Sequence, residues 1–193
     1  MVSMKDIYVI DDFLPKELLD RIVEDKSIYE EVATPGKSFW VKQPSKDFIT
    51  WICGNISEIE GVVILPILGF FREAKQGQDN DWRIHNDSII EGQQPDRAIV
   101  LYVSEDEHGD LNGTAFWEHY KYGEKFENII PEEYNRLLTE DSNDRDKWKL
   151  KSVVGHKQNR LLSYPCNYFH SKYPNEFINS RKVFVMFYKT QKL

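Results

Sequence analysis

The sequence predicts an α+β fold, and two features of its layout carry that expectation. Two stretches of helical periodicity fall in the first third of the 193 residues, and short strand-like runs crowd the remaining two-thirds, as an antiparallel sheet system requires. Ile7-Tyr8-Val9-Ile10 reads as a short strand closed by Asp11-Asp12. Leu14 to Val23 repeats apolar residues at helical spacing with Pro15 near the first turn. Pro35, Gly36 and Pro44 frame a loop holding one short strand around Phe39-Trp40-Val41. Phe48, Ile49, Ile52, Ile56 and Ile59 mark a second helix from Asp47 to Glu60, packed on a sheet.

Val62 to Phe71 is expected to be a buried strand interrupted near Pro66 and Gly69. A polar turn over 76–81 then leads to a strand that carries His85 and Asp87. Arg97 to Val103 is the clearest strand in the chain. An acidic turn from Glu105 to Gly113 precedes a strand at Thr114–Trp117. Lys151–Val154, a turn at 155–159 and Arg160–Tyr164 read as strand, turn, strand. Pro165 to Phe169 then delivers His170 at the end of a strand, and after a loop over 174–180 Arg181–Tyr188 is the last strand. Residues 124–149 interrupt the pattern with an acidic segment, in which Pro131-Glu132-Glu133 opens a helix with carboxylates favoured by its dipole. Two readings stand for it: a lid that selects substrate, or a solvated excursion between strands.

Composition bounds the function. The chain is long enough for one domain with a proper core, and 40% hydrophobic with 30% charged residues is an ordinary globular balance. A net charge of −7 argues against a nucleic-acid backbone as the main partner. The longest apolar run, Gly61 to Phe71, contains Pro66 and is too short to span a bilayer. The opening residues lack a signal-peptide core, and two cysteines make no disulfide framework, so a cytoplasmic setting is expected.

Chemistry concentrates around His85-Asn86-Asp87. On an extended strand His85 and Asp87 leave the same face. An imidazole and a carboxylate so placed are two adjacent ligands for a divalent metal, and one more histidine completes the facial triad that holds non-heme Fe(II). Alone the tripeptide is a weak signal. Downstream, His170 supplies a candidate third ligand. Arg181 heads a strand face shared with Val183, Val185 and Phe187, where a buried guanidinium calls for a bidentate carboxylate.

The order His85-x-Asp87, Tyr102, His170 and Arg181 eleven residues later resembles the Fe(II)/2-oxoglutarate-dependent oxygenase superfamily, its prolyl-4-hydroxylase-like branch in particular. Tyr8 to Pro15 is similar to that branch's strand-to-helix entry, and Arg97 to Ser104 to its arginine-to-tyrosine strand. Asn112-Gly113-Thr114-Ala115-Phe116 stands where the branch has a double glycine, and Asn159 to His170 resembles the approach to the distal histidine. Gly113 to His119 is also similar to a phage and marine-bacterial group of the superfamily. The resemblance covers nearly the whole chain and departs at Asn112 and in the acidic segment.

The resemblance implies a double-stranded β-helix with the N-terminal helices packed on one sheet, forming one domain over residues 1–193. It implies Fe(II) on His85, Asp87 and His170, with 2-oxoglutarate held by Arg181 and by the Tyr102 hydroxyl. Val100 and Ala98, on the Tyr102 face of their strand, would line the cosubstrate's methylenes. The reaction implied takes O2, releases succinate and CO2, and hydroxylates a peptidyl residue, a free amino acid or a small metabolite, with ascorbate an aid in vitro. No protein general base is needed, so His108, His119 and His156 are not catalytic. His119 reads as a surface residue, Cys166 as buried filler, and Trp82 as either an entrance residue or a cap on the sheet. The alternatives are a cupin-like binding protein without catalysis and, with less support, a nucleic-acid-modifying dioxygenase. The sequence leaves the oligomeric state undetermined.

Overall fold

The computed structural model describes residues 7–34, 37–75, 83–105, 112–127, 129–173 and 180–193. Trp82 and His108 lie outside these, as do the turn read at 76–81, the loop read at 174–180 apart from Ser180, and most of the acidic turn that follows Glu105. The chain runs β1 (Tyr8–Ile10), α1 (Lys16–Glu24), β2 (Glu30–Thr34), β3 (Lys37–Lys42), α2 (Lys46–Glu60) and β4 (Val62–Lys75). It continues through β5 (Arg97–Tyr102), β6 (Gly113–His119), α3 (Pro131–Thr139), β7 (Trp148–Val154), β8 (Leu161–Pro165), β9 (His170–Tyr173) and β10 (Ser180–Lys192). A seven-stranded sheet has the order β1-β8-β5-β10-β4-β3-β2, and a three-stranded sheet the order β7-β6-β9. Every pairing is antiparallel, and the arrangement is consistent with the expected double-stranded β-helix.

Period two divides the strands cleanly between layers. On β5, Ile99 and Leu101 join one apolar cluster with Phe184 and Met186 of β10, under Phe48, Ile52 and Ile56 of α2 and Leu18 and Ile22 of α1. Ala98, Val100 and Tyr102 face the other way, with Val183 and Phe187, toward Phe116 of the small sheet. On β6, Phe116 points into this inter-sheet space, while Ala115 and Trp117 turn outward to a third cluster. The layers are therefore helices, large sheet, small sheet, and the 124–149 segment on the far side.

Several elements differ from expectation. β4 runs unbroken to Lys75; Pro66 is absorbed by a bulge, where the register with β10 shifts between Phe187 and Tyr188. Proline lacks a ladder donor, and a bulge is one of the places a sheet tolerates it. β2 was not foreseen, and pairs along β3 from Glu30–Val41 to Thr34–Lys37. The strand-turn-strand read over 151–164 is no hairpin. β7 pairs with β6 in the small sheet, whereas β8 lies between β1 and β5 in the large one. His170 opens a strand rather than ending one.

A buried ion pair ties α2 to the large sheet. Glu60 and Arg97 meet at 3.1 Å with side chains 3% and 4% exposed, and Tyr8 and Tyr188 donate to the same carboxylate oxygen at 2.7 and 2.8 Å. Such a pair is held by its surrounding donors, since isolated burial of either charge is costly.

Gly113 has a steric reason. A Cβ there would lie 2.1 Å from the Val154 carbonyl oxygen, so only glycine lets β6 pass this close to β7. Gly54, inside α2, has open space around its Cα. Gly113→Ala is expected to lower unfolding free energy by ~1–3 kcal/mol, the usual cost of overpacking. Gly54→Ala should raise it by ~0.5–1 kcal/mol through helix propensity. Chemical denaturation of both variants checks the pair; equal effects would contradict the assignment.

Candidate metal centre and cavity

His85 and His170 come together through the backbone. His85 donates its N–H to the His170 carbonyl at 3.0 Å, and His170 returns the bond at 2.8 Å. The segment from Arg83 to Ser88 is not a continuous strand; this single bridge and a bond from the Asp87 N–H to the Cys166 carbonyl (2.9 Å) hold it. In an antiparallel pair of this kind the opposed side chains leave the same face. Asp87, two residues on, joins them, and the three residues offer ligand atoms all within 4.8 Å of one another.

The tautomers follow from the partners. His85 Nδ1 lies 2.8 Å from the Arg83 carbonyl oxygen, and His170 Nδ1 lies 3.0 Å from that of Tyr168. A carbonyl only accepts, so Nδ1 carries a proton in both imidazoles and Nε2 is the atom turned toward Asp87. His170 Nε2 is 3.2 Å from one Asp87 oxygen, and His85 Nε2 is 3.8 Å from the other. Ligands bound at ~2.1 Å and at right angles to each other sit ~3 Å apart, so the donor set fits a divalent ion with little adjustment. Burial would raise the Asp87 carboxyl, but His170, His85 and Arg72 outweigh it and hold it below its ordinary range. Burial would lower the His170 imidazole, but Asp87 outweighs it and raises it, so metal binding there would displace a proton from Nε2. The His85 side chain is 42% exposed against 8% for His170, which places His85 at the entrance.

At the triad a cavity of about 130 Å³, open on one side, runs between the sheets. Val100, Val183, Val185 and Phe187 form its apolar floor, and Arg181 lines it beyond them. Arg181 donates through Nε to the Asn112 carbonyl at 2.8 Å, and its guanidinium stacks over the Tyr102 ring at 5.4 Å. Asn112 has φ 59°, the left-handed conformation that the first glycine of a double glycine would supply; asparagine tolerates it. The departure at Asn112 thus keeps the backbone conformation and turns the carbonyl to Arg181.

Tyr102 stands one bond behind the cavity wall. It is fully buried, with its hydroxyl 2.8 Å from Thr114 Oγ1, and it is Thr114 that lines the space. Val100 lines the cavity as read; Ala98 lies deeper in the same cluster. The sequence analysis missed Thr114, Arg72 and Lys172. Period two carried a signal for two of them: Lys172 shares a face with His170, and Arg72 shares one with Phe70.

The other two described histidines, His119 and His156, have structural partners. His119 is buried, not on the surface: Nε2 meets Asp141 at 3.1 Å, Nδ1 accepts from the Lys121 N–H, and the ring stacks on Tyr122. His156 donates through Nε2 to the Ser104 carbonyl at 3.0 Å. Cys166 is buried, as read.

The 124–149 segment is not a solvated excursion. Ile129 and Leu137 pack with Trp148, Trp117 and Phe169 around Ile84, the residue before the first histidine. Ile84 donates its N–H to the Ser142 carbonyl at 3.1 Å, and Tyr134 donates its hydroxyl to Asn86 Oδ1, also at 3.1 Å. Asn86 lies between His85 and Asp87 and is itself buried, so the segment braces the ligand-bearing chain from outside. The apolar spacing Tyr134, Leu137, Leu138 was the legible sign of this packing. Tyr134→Phe removes one neutral hydrogen bond, so a loss of ~0.5–1.5 kcal/mol in stability is expected. It should also weaken Mn(II) binding severalfold by calorimetry, as loss of a supporting contact does. Unchanged affinity would confine Tyr134 to packing.

No protein-family model matches the sequence, and no curated protein matches it either. Solved structures do match. A prolyl-4-hydroxylase from Pseudomonas putida aligns over 95% of this chain and 92% of its own, with 12% identity and a TM-score of 0.58. HygX from Streptomyces hygroscopicus, solved with nickel, 2-oxoglutarate and hygromycin B, aligns over 95% and 82% at 10% identity with a TM-score of 0.60. A prolyl hydroxylase from Trichoplax adhaerens, in complex with a hypoxia inducible factor peptide fragment, aligns over 95% and 83% at 9% identity, TM-score 0.60. The chain therefore has the fold of the Fe(II)/2-oxoglutarate oxygenases, prolyl hydroxylases among them.

Proposed function

We propose that the chain is an Fe(II)- and 2-oxoglutarate-dependent dioxygenase, one catalytic domain over residues 1–193, that hydroxylates a peptidyl residue, a free amino acid or a small metabolite. One observation supports this above the rest: two imidazole Nε2 atoms and an ionised carboxylate converge on a cavity that Arg181 also lines. His85, Asp87 and His170 would hold Fe(II) at the cavity. Arg181 fixes the far carboxylate of 2-oxoglutarate, with its own orientation set by the Asn112 carbonyl and the Tyr102 ring. The Tyr102 hydroxyl acts as the second anchor through Thr114, whose Oγ1 it holds. Val100, Val183 and Val185 pack the cosubstrate's methylenes and keep water from the reacting end. When bound together, iron and 2-oxoglutarate supply the oxygen activation that releases succinate and CO2 and hydroxylates a C–H bond.

The Tyr164 hydroxyl lies 3.3 Å from His170 Nε2, and burial pushes its pKa well above the phenolic range. It stays neutral and does not compete for the metal as a phenolate. Two free thiols, Cys53 and Cys166, suit a reducing, cytoplasmic setting. The similar structures include one with hygromycin B and one with a peptide, so both substrate classes are compatible with the fold.

Succinate formation with Fe(II), 2-oxoglutarate and ascorbate tests the proposal. His85→Ala and Asp87→Ala should each abolish it, and activity near wild type in either would overturn the triad. Arg181→Ala should raise the KM for 2-oxoglutarate about tenfold or more, by loss of a charge-assisted pair, while metal binding holds. A fall in metal affinity instead would mean the arginine supports the triad and not the cosubstrate.

A further inference from the structure

Two tyrosines are buried in the inter-sheet cluster, and their hydroxyls are placed differently. That of Tyr102 is engaged with Thr114 Oγ1 at 2.8 Å. That of Tyr164 lies 3.3 Å from His170 Nε2, on a side chain that itself lines the cavity. Among the described residues this is the only hydrogen bond Tyr164 makes through its side chain.

Packing holds the phenol where it is. Tyr164 stands on β8 opposite Ala98 of β5, and both side chains join the inter-sheet cluster. The Phe116 ring meets Tyr164 edge-on at 5.3 Å, and the His170 ring lies 4.8 Å away. A close-packed ring cannot swing out to water to find another partner.

The contact with Nε2 belongs to the metal-free site. His170 Nδ1 is committed to the Tyr168 carbonyl, so Nε2 is the nitrogen this residue can give to a metal. A coordinated nitrogen has neither a lone pair nor a proton to offer a hydroxyl. Leaving a buried hydroxyl without a partner is costly, so an acceptor must arrive with the metal. With the far carboxylate of 2-oxoglutarate on Arg181, its keto-acid end lies toward the triad and supplies such oxygens.

We infer that the Tyr164 hydroxyl, which loses His170 Nε2 when a metal binds, donates to the keto-acid end of 2-oxoglutarate and fixes the end that Arg181 does not hold. The inference rests on the proposed oxygenase function and adds a binding residue to its cosubstrate site.

The test uses the full chain under anaerobic conditions. Calorimetry gives the Mn(II) affinity of wild type, Tyr164→Phe and Arg181→Ala. The Mn(II)-loaded proteins are then titrated with 2-oxoglutarate and with oxalate, which offers two adjacent carboxylates and no distal one. Tyr164→Phe keeps the ring and removes only the hydroxyl. It should bind Mn(II) at least as well as wild type, because nothing then competes for Nε2. It should bind 2-oxoglutarate and oxalate each about tenfold more weakly, the usual margin of a hydrogen bond to a charged group. Arg181→Ala should weaken 2-oxoglutarate and spare oxalate. With Fe(II), the charge-transfer band of the 2-oxoglutarate complex should shift in Tyr164→Phe, whose change lies at the chelating end. If Tyr164→Phe leaves both ligand affinities unchanged, the hydroxyl only caps an empty site. If it weakens Mn(II) as much as the two ligands, it positions His170 instead. Either result overturns the inference while the oxygenase reading stands. Failure of wild type to bind Mn(II) and 2-oxoglutarate would remove that reading, and this inference with it.

Discussion

Two backbone hydrogen bonds between His85 and His170 hold the site together. They join residues far apart in the chain, on an irregular segment and on the first residue of β9. Because opposed residues in an antiparallel bridge share a face, this one contact brings both imidazoles to one side, and the Asp87–Cys166 bond sets the carboxylate beside them. The carbonyls of Arg83 and Tyr168, each two residues upstream of its histidine, then hold both rings in the same orientation, Nε2 toward Asp87. Local geometry repeated at two places produces a matched pair of donors.

Each sheet contributes differently to the site. The large sheet carries the cavity floor and both arginines on β4 and β10, on the face away from the helices. The small sheet carries His170 and Lys172 inward and an apolar surface outward, against which the 124–149 segment packs. That packing surrounds Ile84 and reaches Asn86, so the one irregular part of the ligand set is braced on both sides. An irregular segment with few ladder bonds needs this, since its backbone is otherwise free to open.

Much of this was legible in the sequence because strand periodicity is simple. Arg181, Val183, Val185 and Phe187 share the face that period two assigns, and Val100 and Tyr102 share theirs. What was not legible depended on pairing between distant strands. Nothing local distinguishes β7, which joins the small sheet, from β8, which crosses to the large one. His119 looked like a surface residue because its partner Asp141 is twenty-two positions away, in a segment whose placement the sequence left open. Period two put Arg72 on one face with Phe70, but that this face lines a cavity followed only from its register with Val183.

Anaerobic titration of the protein with Fe(II) in the presence of 2-oxoglutarate bears most directly on the proposed metal centre. One ion per chain is expected, with a visible charge-transfer band from the iron–keto-acid chelate, and both should be lost in His170→Ala. Saturation without such a band, or binding that survives His170→Ala, would contradict the proposal that these three residues form an oxygenase site.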